Sequence, residues 1–190
     1  MSKHLLIAGT ALIALSACQK NAEPAPTNDM MAETNGMAAD TSMNAAADTS
    51  PITLSDADKS FLEEAIKGDI GEVQLGQLAV EKGQSAAAKS FGQTLVTDHG
   101  MHKDKLVALA GRAGMSAPTE PAKEAADNYK QLQAVAPAKF DAVLKGIMVE
   151  DHQKDIAKYQ KQAEGTGPLA DLARETVPTL QKHLELAKAL

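Results

Sequence analysis

Four long segments with apolar residues at helical spacing constrain the fold of this chain more than any other feature. They are predicted over residues 55–82, 85–114, 137–164 and 168–190. Ser55 followed by Asp56 and Asp58 is typical of a helix start, because a serine caps free backbone N–H groups and acids favour the positive end of the helix dipole. Pro178 lies inside the last segment and predicts a kink there.

The connection between the second and third long helices is much longer than the other two. It holds about 22 residues and includes a shorter helix that begins at Pro121 and ends near Val135. Such a connection can travel back along a bundle, and one long crossover is characteristic of the ferritin-like arrangement. The sequence therefore predicts an all-α, ferritin-like four-helix bundle with a long crossover that contains a short helix. An aromatic content of 3% also favours helix over sheet.

The first 18 residues are typical of an exported lipoprotein. Lys3 precedes an apolar run over residues 5–15, and Leu-Ser-Ala-Cys ends at Cys18. The run is too short to span a bilayer, so residues 1–17 are interpreted as a secretory signal. Leu-Ser-Ala-Cys resembles the lipobox of bacterial lipoproteins, which implies cleavage before Cys18 and lipidation of its thiol. The alternative is an ordinary signal whose cleavage site happens to contain a cysteine.

The segment after the cysteine indicates a tethered domain in the envelope. Gln19 follows the cysteine where an aspartate would imply inner-membrane retention, so the resemblance favours the outer membrane. Residues 18–52 are polar and lack an apolar period, which predicts a disordered linker. A bundle over residues 53–190 would then face the periplasm, with the membrane as its partner through the lipid on Cys18. No protein partner is indicated.

Composition excludes two kinds of function. The net charge of -6 argues against nucleic acid as a partner, because binding to phosphates needs a basic surface. The single cysteine allows neither an intrachain disulfide nor a thiolate metal site. Any metal ligands in the bundle must therefore come from histidine, aspartate or glutamate.

Ionisable residues on the core-facing stripes are the main functional signal. Such a set occurs on all four long helices: Asp69, Glu72, Asp98, His99, His102, Asp151, His152, Asp155 and His183. On the first helix the stripe comprises Phe61, Leu62, Ala65, Val73, Gly76, Ala79 and Val80. His102 lies near the centre of the second stripe with His99 beside it, whereas His152 and His183 lie at the edges of theirs.

Buried acids and histidines need a partner, because an unpaired carboxylate in a protein interior costs several kcal/mol. A transition metal bound from several helices would supply it, and iron, zinc, copper and manganese are the candidates. The alternative is an internal network of hydrogen bonds between histidines and carboxylates that only fixes helix packing. The residue pattern leaves both interpretations open.

Four motifs carry a resemblance to a known family. They are Glu-Val-Gln-Leu-Gly-Gln-Leu-Ala at 72–79, Val-Thr-Asp-His at 96–99, Val-Glu-Asp-His at 149–152 and Val-Pro-Thr-Leu-Gln-Lys-His-Leu at 177–184. Over residues 55–190 the chain resembles the exported bacterial domain-of-unknown-function family 4142. The resemblance implies a ferritin-like fold and export, and it implies no established activity.

The family pattern points to six positions: Glu72, Asp98, His99, Asp151, His152 and His183. With His102 and Asp155 added, the candidate metal ligands are Glu72, His99, His102, His152, Asp155 and His183. Asp69, Asp98 and Asp151 are candidates for orienting those ligands through hydrogen bonds. Di-iron ferritins use Glu-x-x-His on two helices, which this chain lacks at the matching places, so the sequence does not predict ferroxidase activity.

Two classes of function stay open from the sequence. One is a periplasm-facing bundle that stores, senses or buffers a transition metal. The other is a non-catalytic envelope stress or protein-interaction module whose buried polar cluster is structural. A hydrolase is disfavoured because no Gly-x-Ser-x-Gly motif or cysteine nucleophile is available, so no catalytic residue is assigned.

Overall fold

The computed structural model describes residues 49–190, and every regular element in that range is a helix. The elements are α1 (Asp56–Lys82), α2 (Ala86–Arg112), α3 (Lys123–Ala134), a 3-10 turn (Pro137–Lys139), α4 (Phe140–Ala163) and α5 (Pro168–Lys188). The predicted all-α bundle, with four long helices and a shorter one in the crossover, is confirmed. α5 is continuous through Pro178.

Several predictions fall on the N-terminal part of the chain. The signal over residues 1–17, the lipidated Cys18 and the linker as far as residue 48 lie outside the described residues. The next few residues contact the end of α2, where the Ile52 N–H donates to the Arg112 carbonyl at 3.1 Å. In the described part of the chain, no helix combines the length and apolar character needed to cross a membrane.

The helix starts follow from local hydrogen bonds. The Asp58 N–H donates to Ser55 Oγ at 3.1 Å and the Ser55 N–H donates to the Asp58 carboxylate, which together form a capping box. α3 begins at Lys123 rather than at Pro121 as predicted. The reason is that the Ala122 N–H donates to the Lys67 carbonyl of α1 at 3.2 Å, which holds the chain against α1 before the helix starts.

The directions of the helices define the connectivity. α1 with α2, and α4 with α5, are joined by short connections that make each pair antiparallel. α4 is also antiparallel to α1, because Gln162 near its end bonds to Asp58 at 2.7 Å and Asp141 near its start accepts from the Gln84 N–H at 2.9 Å. α2 and α4 therefore run in the same direction, and the crossover returns the chain along the bundle. One long crossover is the connectivity of ferritin-like folds.

α1 and α2 touch at a pair of glycines. A Cβ atom added at Gly76 would lie 2.8 Å from the Gly92 carbonyl oxygen, and one added at Gly92 would lie 2.6 Å from the Gly76 carbonyl oxygen. Neither distance occurs at a real Cβ, so only glycine permits this approach. The contact lies within two turns of Asp69 and Glu72 on α1, and it brings them close to α2.

The buried polar residues form a layer between apolar clusters. On α1, Leu62 and Ile66 belong to one cluster and Leu75 to another, with Asp69 and Glu72 between them. The same order holds on α2, where His99 lies between Leu95 and Leu106. The buried polar residues of the described part are Asp69, Glu72, His99, His152 and His183.

The predicted stripe on α1 was partly wrong. Val80 was placed on the core face but is 39% exposed, whereas Ile66, Leu75 and Leu78 are buried and were not predicted. α1 packs against α2, α3 and α4, so its buried arc is wider than the stripe expected for a helix with two neighbours.

Candidate metal centre

Three histidines from three helices converge in the polar layer. His99 of α2, His152 of α4 and His183 of α5 are 5%, 0% and 1% exposed. One ring nitrogen from each lies within 4.8 Å of the other two, and the ring centroids are 5.2 to 5.8 Å apart. Two imidazole nitrogens on one zinc ion are roughly 3.5 Å apart. A cation bound here would therefore draw the rings slightly closer together.

Each of the three rings is held by a hydrogen bond from one of its nitrogens. The acceptors are two carboxylates and one backbone carbonyl, so the ring nitrogen in each bond carries a proton, and in a neutral ring the remaining nitrogen presents a lone pair. The bonds run from His99 Nδ1 to Asp69 Oδ1 (2.8 Å), from His183 Nε2 to Asp98 Oδ2 (2.8 Å) and from His152 Nδ1 to the Met148 carbonyl (2.9 Å). Metal-binding histidines are oriented by this kind of hydrogen bond.

Buried atoms without a hydrogen-bond partner concentrate at the same place. Among residues 49–190 they are Glu72 Oε2, His99 Nε2, His102 Nε2, His152 Nε2 and His183 Nδ1. Each such atom costs about 1–3 kcal/mol, and native proteins contain few of them. Three of the five belong to His99, His152 and His183, which could share a common ligand.

Glu72 of α1 is the carboxylate beside the three histidines. Its side chain is 6% exposed, and its Oε1 lies 3.8 Å from His152 Nδ1, the nitrogen that bonds to the Met148 carbonyl. Glu72 is therefore next to the three histidines but is not part of the group whose nitrogens lie within 4.8 Å of one another. Burial raises the pKa of Glu72 to about 8; the nearby Asp155 and Asp151 add to the rise, and His99 opposes it. Glu72 is therefore largely protonated at neutral pH, and a cation next to it would favour its ionised, ligating form.

Burial leaves two of the histidines neutral. It lowers the pKa of His152 to about 3, and repulsion between a protonated His152 and the neighbouring His99 and His183 adds to the effect. Burial likewise lowers the pKa of His183, against the opposing hydrogen bond to Asp98. Neutral imidazole is the form that binds metal, so these two rings are ready to act as ligands.

His99 differs from the other two histidines. Burial lowers its pKa, but the hydrogen bond to Asp69 and the charges of Glu72 and Asp69 outweigh burial and raise it to about 9. For Asp69 itself burial raises the pKa, yet the hydrogen bonds from His102 and His99 outweigh burial and lower it. Asp69 thus stays ionised, and His99 has to lose one proton when it binds a cation.

His102 lies outside the group of three. It was predicted nearer the centre of the stripe than His99, but its side chain is 11% exposed against 6% for His99, and its ring packs against Tyr159. Its Nδ1 donates to Asp69 Oδ2 at 2.8 Å, so it shares the carboxylate that holds His99. Both histidines therefore face Asp69 of α1, and His99 is the one that also belongs to the group of three.

Of the remaining predicted residues, two aspartates bond to histidines of the group and two do not. Asp69 and Asp98 hold histidines in the way proposed for orienting groups, whereas Asp151 accepts from Asn128 Nδ2 at 3.3 Å. Asp155 lies 3.7 Å from Lys158 Nζ and is not part of the histidine group. Burial raises the pKa of Asp151 to about 6, and the nearby Asp155 adds to the rise.

The Met148 carbonyl is the one functional group that the sequence analysis missed. It belongs to the backbone four residues before His152, and any residue type could have supplied it. No side-chain pattern could therefore have indicated it.

A cavity of about 280 Å³ opens beside the cluster, bounded mainly by α1, α3 and α4. Asp69, Glu72 and His99 line its inner part, and Lys154 and Lys158 line its outer part. The cavity therefore connects solvent to one histidine of the group and to the neighbouring carboxylate.

Fold and site together define an all-α bundle with a buried three-histidine cluster. A family model described as "Domain of unknown function (DUF4142)" matches residues 41–190, so the chain belongs to this family. No curated protein and no solved structure matches the chain. The family predicted from the motifs is thus confirmed, and the chemistry of the site has to be argued from its own geometry.

Proposed function

We propose that this protein binds one transition-metal ion through His99, His152 and His183, and that the Glu72 side chain moves towards the bound ion as a fourth ligand. The observation that carries the proposal is the arrangement of the ring nitrogens. One nitrogen of each ring is committed to an oxygen acceptor, and one nitrogen from each ring lies within 4.8 Å of the others. Three inward ligands on a rigid scaffold are what an imidazole-bound ion requires.

A purely structural network explains this arrangement less well. In such a network the buried donors and acceptors satisfy one another. Among residues 49–190 no protein group bonds to the remaining nitrogens of the three rings or to Glu72 Oε2. A structural network would close this gap only with an added water, which would donate to His152 and His183 and accept from the protonated His99. A cation satisfies the same three nitrogens once His99 has lost its second proton.

The ligand set favours particular ions. Imidazole suits zinc, copper and iron, whereas manganese prefers oxygen ligands. Three imidazoles with one carboxylate and no thiolate form a set typical of zinc, and copper(II) binds such sites more tightly in the general affinity order. We therefore expect zinc or copper(II) to bind more tightly than iron(II) or manganese(II). The proposed role is to hold the ion, and no reaction is assigned.

The proposed place of action is the bacterial envelope. The apolar run before Cys18 and its resemblance to a lipobox support export and lipidation, and Gln19 supports the outer membrane. A Cys18→Ser variant should then lose its lipid and leave the membrane fraction. Incorporation of labelled palmitate, followed by cell fractionation, tests this. A variant that keeps both the label and the membrane location would contradict the proposal.

Metal content tests the proposed site. Protein without a histidine tag is incubated separately with zinc, copper(II), iron(II) and manganese(II), dialysed, and measured by elemental mass spectrometry. About one ion per chain is expected, and the variant that combines His99→Ala with His152→Ala should bind none. His102→Gln is the matched control, because His102 lies outside the group and should be dispensable for binding.

Two results would overturn the metal site. One is the absence of bound ion with all four metals; the other is full binding by the double variant. Either result would favour the non-catalytic envelope module, in which the cluster only fixes helix packing.

A further inference from the structure

We infer that the cavity beside the cluster is the route by which a hydrated divalent cation reaches the three-histidine site, guided by Glu72, Asp151 and Asp155. The inference rests on the proposed function and extends it, because it assigns a path and a charge-selective lining to the same site. It concerns the rate of metal uptake, whereas the proposed function concerns binding at equilibrium.

The shape of the cavity fits such a route. Its volume of about 280 Å³ leaves room for a cation that still carries several water molecules. The lining includes His99 and Glu72 but neither His152 nor His183. A cation that arrives through the cavity would meet His99 and Glu72 first and then reach the two deeper histidines.

The charges along the cavity favour cations. Six carboxyl groups, three lysines and His99 line it. Glu72 is largely protonated before a cation binds, so the other five carboxylates provide the negative charge. Each lysine is neutralised by a neighbouring acid: Lys67 by Glu63, Lys154 by Glu124 and Glu150, and Lys158 by Asp155. A cleft with an excess of one charge and low-dielectric walls concentrates ions of the opposite charge and raises association rates by 10- to about 1000-fold.

Glu72 independently indicates a cationic ligand at the inner end. Its Oε2 is buried, has no hydrogen-bond partner among the described residues and belongs to a side chain that lines the cavity. A cation at this oxygen would replace the proton of the carboxyl group and give the buried oxygen a partner. Because the carboxyl lines the cavity and also lies beside His152, it connects the cavity with the histidines.

Gly68 allows the cavity to be narrowed without disturbing the ligands. It lines the cavity, and a Cβ added there would meet no atom within 4 Å. Leucine should therefore project into open space, and it also favours helix over glycine. Gly146 on α4 is the matched control, because a Cβ there is equally free and Gly146 is not part of the lining.

The experiment is stopped-flow mixing of the full chain with the ion that binds most tightly among Zn²⁺, Cu²⁺, Fe²⁺ and Mn²⁺. We expect Gly68→Leu to lower the association rate constant about tenfold or more, with a Kd within about twofold of the wild-type value. Gly146→Leu should bind at the wild-type rate. Asp151→Asn combined with Asp155→Asn should also bind about tenfold more slowly and show a weaker dependence on ionic strength.

The outcomes separate this inference from the proposed function. If the wild type binds the ion and Gly68→Leu binds it with the same association rate constant, the route lies elsewhere. That result would overturn the inference, while the metal site would stand. If wild-type protein binds no ion at equilibrium, the proposed function itself fails. Should Gly68→Leu not fold, judged by helical circular dichroism, the aspartate double variant decides: an unchanged rate and salt dependence there also overturns the inference.

Discussion

Asp69 holds two histidines with one buried carboxylate. Its Oδ1 accepts from His99 and its Oδ2 accepts from His102, both at 2.8 Å. An asparagine could accept through its single carbonyl oxygen, but its amide nitrogen would meet the second ring as a donor. One histidine would have to change tautomer, and a change at His99 would protonate the nitrogen needed for metal.

We therefore expect Asp69→Asn to weaken metal binding about 10- to 100-fold, the usual effect of losing a group that orients a metal ligand. Competition with a chromophoric chelator measures the change. The control is Asp171→Asn, an exposed acid in the first turn of α5, which should bind as the wild type does. Equal affinity in both variants would show that Asp69 does not orient a ligand.

The lowered pKa of His152 should make the free energy of unfolding depend on pH. Its pKa is lowered from 6.5 to about 3 in the folded protein. A group with a lowered folded pKa binds protons more strongly in the unfolded chain, so the stability it supports above pH 6.5 is lost as the pH falls towards 3. His152→Leu removes this proton linkage, and it leaves no acid unpaired because the ring bonds only to a backbone carbonyl.

The metal-free His152→Leu variant should consequently gain stability over the wild type on acidification. Going from pH 8 to pH 5, we expect its advantage in free energy of unfolding to grow by about 2 kcal/mol. Urea unfolding of both proteins at the two pH values measures this. An advantage that is constant with pH would mean that His152 titrates normally and is not held neutral by burial.

Single side chains also mark the limit of what the sequence could predict at the site. The presence of His99, His152 and His183 near a buried face followed from helical periodicity. How deeply each histidine is buried did not follow. A helical wheel at 100° per residue does not show which edge of an apolar stripe faces the core once a neighbouring helix packs against it. That orientation arises from contacts between helices such as the one at Gly76.

Among the helices, the contact between α1 and α2 has the most direct influence on the site. Gly76 and Gly92 allow the two backbones to approach, and this places Asp69 within hydrogen-bond distance of His99. A pair of small residues in two separate helices gives no signal in either helix alone. The sequence therefore predicted both helices and their ends but not how closely they pack.

Gly76→Ala tests this contact. A Cβ at this position would lie 2.8 Å from a backbone oxygen, which cannot move without shifting the helix. We expect a loss of about 1–3 kcal/mol in the free energy of unfolding, measured by urea denaturation. Gly146→Ala, where the added atom meets open space, should instead gain about 0.5–1 kcal/mol. Similar changes at both positions would mean that α1 and α2 do not pack this closely.

For the whole molecule, connectivity was more predictable than chemistry. Helix caps, loop lengths and the long crossover each depend on a short stretch of sequence, so the sequence alone indicated the bundle. The metal site depends on four helices meeting in one layer, with Asp69 and Glu72 opposite residues that lie at least 27 positions further along the chain. Only the assembled bundle shows that one nitrogen from each of three rings lies within 4.8 Å of the other two.

A ligand that joins four helices should stabilise the entire bundle. Binding to the folded state alone adds about 2.7 kcal/mol at a free ion concentration of 100 times Kd. For a domain of this size, that corresponds to a rise of roughly 5 to 10 °C in the melting temperature. A structural network of hydrogen bonds would show no such dependence on metal.

The most direct measurement is the melting temperature of tag-free protein as a function of added Zn²⁺ or Cu²⁺. We expect it to rise with ion concentration for the wild type and for His102→Gln, and to stay constant for the variant that combines His99→Ala with His152→Ala. A wild-type melting temperature that does not change with either ion, or an equal rise in the double variant, would contradict the three-histidine metal site.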